Sequence, residues 1–179
     1  MLLKILIGLA AAFAVLAVVI ATKPDAFRVT RQARIAAPPA AVFTNVNNLR
    51  KWKAWSPWAK LDPGAKESFE GPEAGTGASM HWAGNNQVGE GRMTITESRL
   101  GELVRFRLEF FKPFASSSEA DFSFRFDGQQ TVVTWTMTGK KNFMMKAMSL
   151  VMNCDKMMGG QFEQGLTSLK AVAETVPVS

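Results

Sequence analysis

Three charged residues, Arg31, Glu97 and Asp155, share the spacing of the apolar residues around them rather than that of their polar neighbours. Gathered in one cavity they would make a carboxylate general base held by an arginine. Such chemistry needs a group whose pKa is displaced by burial or by a charged neighbour. The plainer expectation puts Arg31 and Glu97 at solvated strand ends and Asp155 at a helix cap, because charged side chains are ordinarily left in water. Other chemistry is thinly provided. His81 and Cys154 are the single histidine and cysteine, so an internal disulfide is excluded and a zinc or iron site would need carboxylates. No metal and no cofactor is expected. His81, between inward-facing Met80 and Trp82, should point to solvent, and Cys154 should behave as a small apolar residue. Gly75-x-Gly77 and Gly89-x-Gly91 lack the strand-then-helix setting of a phosphate cradle and read as hairpin turns.

The apolar side chains are more distinctive. The 179 residues include thirteen Phe, five Trp, ten Met and no Tyr. Phe carries no hydrogen-bonding handle, so this set favours apolar burial over polar-tipped recognition. Six of the methionines fall between Met144 and Met158. The net charge of +6 is spread along the chain without a basic run. Nucleic-acid binding would want a basic stripe interleaved with aromatics, so no nucleic-acid partner is expected. The same charge suits an anionic membrane surface, where each nearby basic side chain contributes about 1 kcal/mol.

These side chains need elements to hold them. Ile5 to Ala21 contains no charged residue, and Met1 to Leu3 extend the apolar run around Lys4. At about 1.5 Å per helical residue it approaches the roughly 30 Å hydrocarbon thickness of a bilayer. Residues 1–23 are therefore expected to form a single-pass transmembrane anchor, with a cleaved signal sequence as the alternative. The stretch exceeds the usual signal core of about 7–15 residues, which favours the anchor. Lys4 and the amino terminus favour an exported domain; Lys23, Arg28, Arg31 and Arg34 count the other way. The expectation is a cell-membrane protein with its domain on the extracytoplasmic side.

Residues 24–26 read as a linker, 27–175 as one domain and 176–179 as a tail. Phe27, Val29, Ala33 and Ile35 alternate with polar residues, as in a half-buried strand. Pro38-Pro39 open a helix bearing Val42, Phe43, Val46 and Leu49. A second short helix carries Trp52 and Trp55 and should end at Pro57. From about Lys66 to Gly139, glycine-marked turns separate about six alternating strands, wet on one face and apolar on the other. Asn142 to about Glu174 is helical, with Met144, Met148, Met152, Phe162, Leu166 and Leu169 on one side. Gly159-Gly160 should bend or break it, with Asp155 as a cap. The expectation is an α+β fold: a curved antiparallel sheet of about seven strands around a long C-terminal helix, two short helices after the first strand, and an N-terminal transmembrane helix. Such a wrap leaves room for an apolar, concave site.

Four strings in this order resemble the SRPBCC, or START-like, superfamily in its polyketide cyclase/dehydrase-type branch. They are Ile35-Ala-Ala-Pro-Pro-Ala-Ala-Val-Phe43, Trp52-x-x-Trp55-Ser-Pro-Trp58, Gly89-x-Gly91-Arg-Met-Thr-Ile-Thr-Glu97 and Phe162-Glu-x-Gly165-Leu-x-x-Leu-Lys170. The resemblance spans nearly all of residues 25–174. It implies a helix-grip fold around a hydrophobic cavity; members bind lipids, sterols, polyketides and other apolar molecules, and some are enzymes.

The leading expectation is therefore non-enzymatic binding of a hydrophobic small molecule or lipid beside a membrane bilayer. Candidate cavity-lining residues are Trp55, Trp82, Met93, Phe106, Leu108, Phe110, Phe122, Phe124, Trp135, Met144, Met148, Met152 and Phe162. Methionine suits such a wall because it is flexible and polarizable, although any single buried apolar residue usually just fills the core. Two alternatives remain: a cyclase- or dehydratase-type enzyme using Arg31, Glu97 and Asp155, and a tethered interaction domain whose Trp52, Trp55 and Trp58 dock a protein.

Overall fold

Alternation in the first strand, β1 (Ala26–Ile35), places Val29 and Ile35 inward, and the strand pairs antiparallel with β7 (Gln130–Lys140) along its whole length. The computed structural model describes residues 1–150 and 153–175. Between these two strands lie β2 (Lys66–Glu70), β3 (Ser79–Ala83), β4 (Glu90–Arg99), β5 (Leu103–Lys112) and β6 (Ser116–Asp127). The seven strands are ordered β1-β7-β6-β5-β4-β3-β2, and every neighbouring pair is antiparallel. Each strand from β2 onward pairs with its successor, and β1 closes on the last.

Three short helical pieces follow β1. Pro39 opens α2 (Pro39–Asn47) from its first turn, where a missing N–H costs nothing. A 3-10 turn at Leu49–Ala54 then carries Trp52, and α3 (Pro57–Leu61) follows. Pro57 thus opens a helix instead of closing one. Ser56 before it is extended, as a residue before proline prefers, and proline is tolerated in the first turn it leads into.

The C-terminal region is two helices, α4 (Phe143–Met148) and α5 (Cys154–Glu174). α4 ends at Met148 and α5 starts at Cys154, while Gly159-Gly160, where a break was expected, run unbroken through α5. Asn153 is the cap, its side chain accepting from the Lys156 amide at 3.1 Å; Asp155 sits inside the first turn. Met152 and the side chain of Cys154 lie outside the described residues.

The sheet's apolar face wraps α5, whose Phe162, Leu166, Leu169 and Ala173 are buried against Ile95, Val104, Phe106, Phe122 and Val133 in one cluster. Each large side chain so buried stabilises the fold by about 1.5–3 kcal/mol. Trp52 and Trp55 close one side of this core, their rings 4.5 Å apart. Their indole N–H groups donate to α2 carbonyls, Trp52 to Val46 at 2.8 Å and Trp55 to Asn45 at 3.0 Å. Burying two indoles is tolerable because both polar atoms are satisfied. The apolar helix α1 (Leu2–Ala21) stands outside the domain with only Ile20 buried, and the Lys146 ammonium of α4 donates to the Ala21 carbonyl at 3.3 Å.

Candidate functional site

A cavity of about 390 Å³ lies between the inner face of the sheet, the Trp52–Ala65 segment and the first turns of α5. Its wall is mostly apolar because alternation on β3 to β7 presents Met80, Trp82, Met93, Leu108, Phe110, Ala120, Trp135 and Met137 to one face. Trp58 and Leu61 from α3, and Met157, Met158 and Phe162 from α5, supply the opposite side. Polar groups are few. Lys53, Asp62, Glu67 and Gln87 belong to exposed loops and edges, and Ser56 and Gln161 complete the set.

Several local features hold this wall open. Trp135 stacks flat on Phe162, ring centres 4.1 Å apart and planes within 5°, and Trp58 meets Trp135 edge-on at 5.8 Å. Gly165 lets α5 settle on that stack, since a Cβ there would crowd the Trp135 ring and Pro57. Gly91 serves Trp82 in the same way, leaving space for its indole over β4. Asp62 fixes the rim by accepting from the amides of Gly64 at 3.1 Å and Asn85 at 2.6 Å. Among the described residues, the Trp135 indole N–H and Gln161 Oε1 are buried beside the cavity without a hydrogen-bond partner.

Of the expected lining residues, Trp82, Met93, Leu108, Phe110, Trp135 and Phe162 are on the wall. Trp55, Phe106, Phe122 and Phe124 are not. They form closed core, Phe106 and Phe122 packed edge-on behind Trp52 at 5.3 and 5.9 Å. Alternation selected the correct face of each strand, but the core and the cavity share that face. Met144 and Met148 ride on α4 and are 47% and 40% exposed, so they point away from the cavity. Their place is taken by Met157 and Met158, one α5 turn past the true helix start, and by Met80 and Met137 on the sheet. The break after residue 148, unmarked by glycine or proline, is what displaced the stripe.

Two of the three charged candidates meet, outside the cavity, and the third lies apart. Arg31 reaches across the edge of β1 to α5 and bridges Asp155 at 3.0 Å and Glu163 at 2.7 Å. Both carboxylates are well exposed, and neither lines the cavity. The Arg31 hydrogen bond holds the Asp155 carboxyl below the usual carboxylate range, against an opposing desolvation effect. Glu97 is elsewhere: it pairs with Arg105 at 2.8 Å and Arg99 at 3.2 Å, beside Asp121 on the outer face. A register shift between Ile95 and Glu97 rotates Glu97 off the apolar face, so its spacing from Met93 and Ile95 misled. His81 also faces outward, 3.6 Å from Glu90 and stacked on Phe111. Trp52 and Trp55 are buried and Trp58 lines the cavity, so the three tryptophans present no exposed cluster.

With this geometry in hand, comparison is informative. Residues 26–174 match the family described as polyketide cyclase / dehydrase and lipid transport. The chain belongs to that family. Its fold is shared with protein CV1439 from Chromobacterium violaceum (15% identity, TM-score 0.60), the alignment covering 85% of this chain and 99% of that one. Protein MLL2253 from Mesorhizobium loti is similar over 85% of this chain and all of its own length (100%), with a TM-score of 0.62 and 11% identity. DynU16, from the dynemicin biosynthetic locus, aligns over 83% of this chain and 47% of itself, with a TM-score of 0.56 and 14% identity. No curated protein matches the sequence. The family match begins at residue 26, so helix α1 stands outside it.

Proposed function

We propose that this polyketide cyclase / dehydrase and lipid transport family member is a membrane-tethered, non-enzymatic binder of a hydrophobic small molecule or lipid. The observation that carries the reading is the apolar cavity of about 390 Å³ between sheet and α5, within the roughly 300–1,000 Å³ range of small-molecule sites. Sulfur-rich walls from Met80, Met93, Met137, Met157 and Met158 fit a guest of variable apolar shape. The unpartnered Trp135 indole N–H, a donor, and Gln161 carbonyl, an acceptor, favour a guest with a hydroxyl among apolar carbons, since a hydroxyl can accept from one and donate to the other. Residues 1–23 serve as the anchor: twenty helical residues, Leu2–Ala21, are apolar apart from Lys4 and exposed apart from Ile20, touching the domain only at their last turn. An enzyme in the same cavity would need an acid or base facing the guest; Arg31, Glu97 and Asp155 all lie outside the wall, and the titratable groups that do line it, Lys53, Asp62 and Glu67, belong to its loops and edges.

A diazirine-bearing fatty acid, photolysed with the full chain in membrane vesicles, tests the reading. Cross-links are expected on α5 peptides containing Met157 to Phe162 and on β5 near Leu108. Leu108→Trp or Ala120→Phe, which fill the cavity, should abolish them while leaving labelling of α1 unchanged. Labelling confined to α1 in the unsubstituted chain would remove the binding role.

A further inference from the structure

Strand register gathers several chain segments at one end of the sheet. Ala26 is opposite Lys140, Gly139 opposite Ser118, Phe110 opposite Ser116, Lys112 opposite Glu90, and Ala83 opposite both Glu90 and Lys66. The exit from α1, the start of α4, the 113–115 and 84–89 turns and the 62–65 loop therefore share that end. Leu61, Asp62, Pro63, Ala65, Gln87 and Val88 line the cavity, so its mouth opens there too.

The same end is apolar and basic. Phe111, Phe114, Phe143, Met144 and Met148 are 40–55% exposed, whereas the turns at the opposite end expose only Leu100 and Phe126 among large apolar side chains of the described residues. Lys23, Lys112, Lys140, Lys141 and Lys146 belong to the same segments, against the acidic Asp25, Asp62 and Glu90. Among the described residues, only Lys112 of these lysines is in an ion pair, with Glu90. The tether is short. Four residues, Thr22 to Asp25, join α1 to β1, and the Lys141 amide donates to the Asp25 carbonyl at 2.7 Å. Four residues span at most about 14 Å, which keeps this end beside the headgroup layer wherever α1 spans a bilayer, without by itself inserting it.

We propose that this end is a bilayer-docking face. Phe111, Phe114, Phe143, Met144 and Met148 enter the headgroup–acyl boundary of an anionic phospholipid leaflet, and the lysines of the same segments meet its phosphates. Such a surface combines buried apolar area with attraction for anionic lipid. The cavity mouth then faces the leaflet, and an apolar guest passes between the two without crossing water. The inference rests on reading α1 as an anchor.

The test uses the full chain in nanodiscs containing phosphatidylglycerol, with a spin label at Phe114→Cys or Leu100→Cys in a Cys154→Ser background whose fold is checked by circular dichroism. The label at 114 should be reached by oxygen and shielded from an aqueous nickel collider; that at 100 should behave oppositely. Phosphatidylcholine discs, or Lys140→Gln with Lys141→Gln, should lose most of the contrast. Equal water exposure at both sites, with the chain retained after alkaline wash, overturns the docking alone. Release by the wash overturns the anchor reading and the docking with it. Dipolar broadening at 114 without membrane depth assigns the face to a second copy and also overturns the proposal.

Discussion

Gly159 lies directly under the Arg31 guanidinium, where a Cβ would overlap it; one on neighbouring Gly160 would meet nothing. Arg31 uses that notch to reach Asp155 and Glu163 on either side, while its Nη1 also donates to the Thr30 carbonyl at 2.9 Å. The two adjacent glycines therefore predict opposite outcomes. Gly159→Ala should push the guanidinium off Asp155 and Glu163 and destabilise by up to about 1 kcal/mol, the loss of the bridges outweighing alanine's helical gain. Gly160→Ala should be neutral or stabilise by up to about 1 kcal/mol, since glycine is entropically costly in a helix. Chemical unfolding of the full chain in micelles checks both, and equal effects would show that the notch is not needed. The spacing of Arg31 flagged it as unusual. Its meeting with Asp155 was one arrangement the sequence allowed, whereas Glu163 was illegible, because nothing in a strand's alternation names the second helix residue an arginine will reach.

At the scale of elements, α5 is pinned at both ends by carboxylates. Arg31 holds Asp155 at the start; at the finish Glu174 accepts from the Ala36 amide at 2.6 Å and from Lys170 at 2.9 Å. Asp155 is depressed chiefly by its hydrogen bond from Arg31, and Glu174 chiefly by that from the Ala36 backbone. A depressed folded-state carboxyl contributes stability above its unfolded pKa of about 4, and that contribution disappears as pH falls through the lower folded value. Asp155→Asn with Glu174→Gln should thus be less stable than the unsubstituted chain at neutral pH, the gap closing below about pH 4. Unfolding midpoints across pH measure it; a gap that persists in acid would assign the loss to packing. Strands were legible because a half-buried strand repeats every two residues and glycines mark its turns. The Ile95/Glu97 register shift and the break after Met148 were not. Neither carries a glycine or proline, and both follow from how distant segments fit together.

At the scale of the molecule, the helix-grip arrangement followed from the count and order of elements, because one apolar sheet face and one amphipathic helix bury each other only by wrapping. Which part of that face stays open was not legible. Phe106 and Leu108 share a strand and a face, yet one is sealed behind Trp52 and the other borders empty space. The difference is set by where α3 and the start of α5 stop short of the sheet. Pairing of β1 with β7 has a further consequence, during synthesis. Ala26 leaves the ribosome first and waits for residue 140 before its backbone finds a partner. At about 5–20 residues per second the wait is on the order of ten seconds, with a strand edge left open throughout. Nascent chains stalled at successive lengths should therefore release an arrest sequence only after β7 has emerged. Release with β6 exposed and β7 still in the tunnel would mean that the first strand is not required for the domain to close.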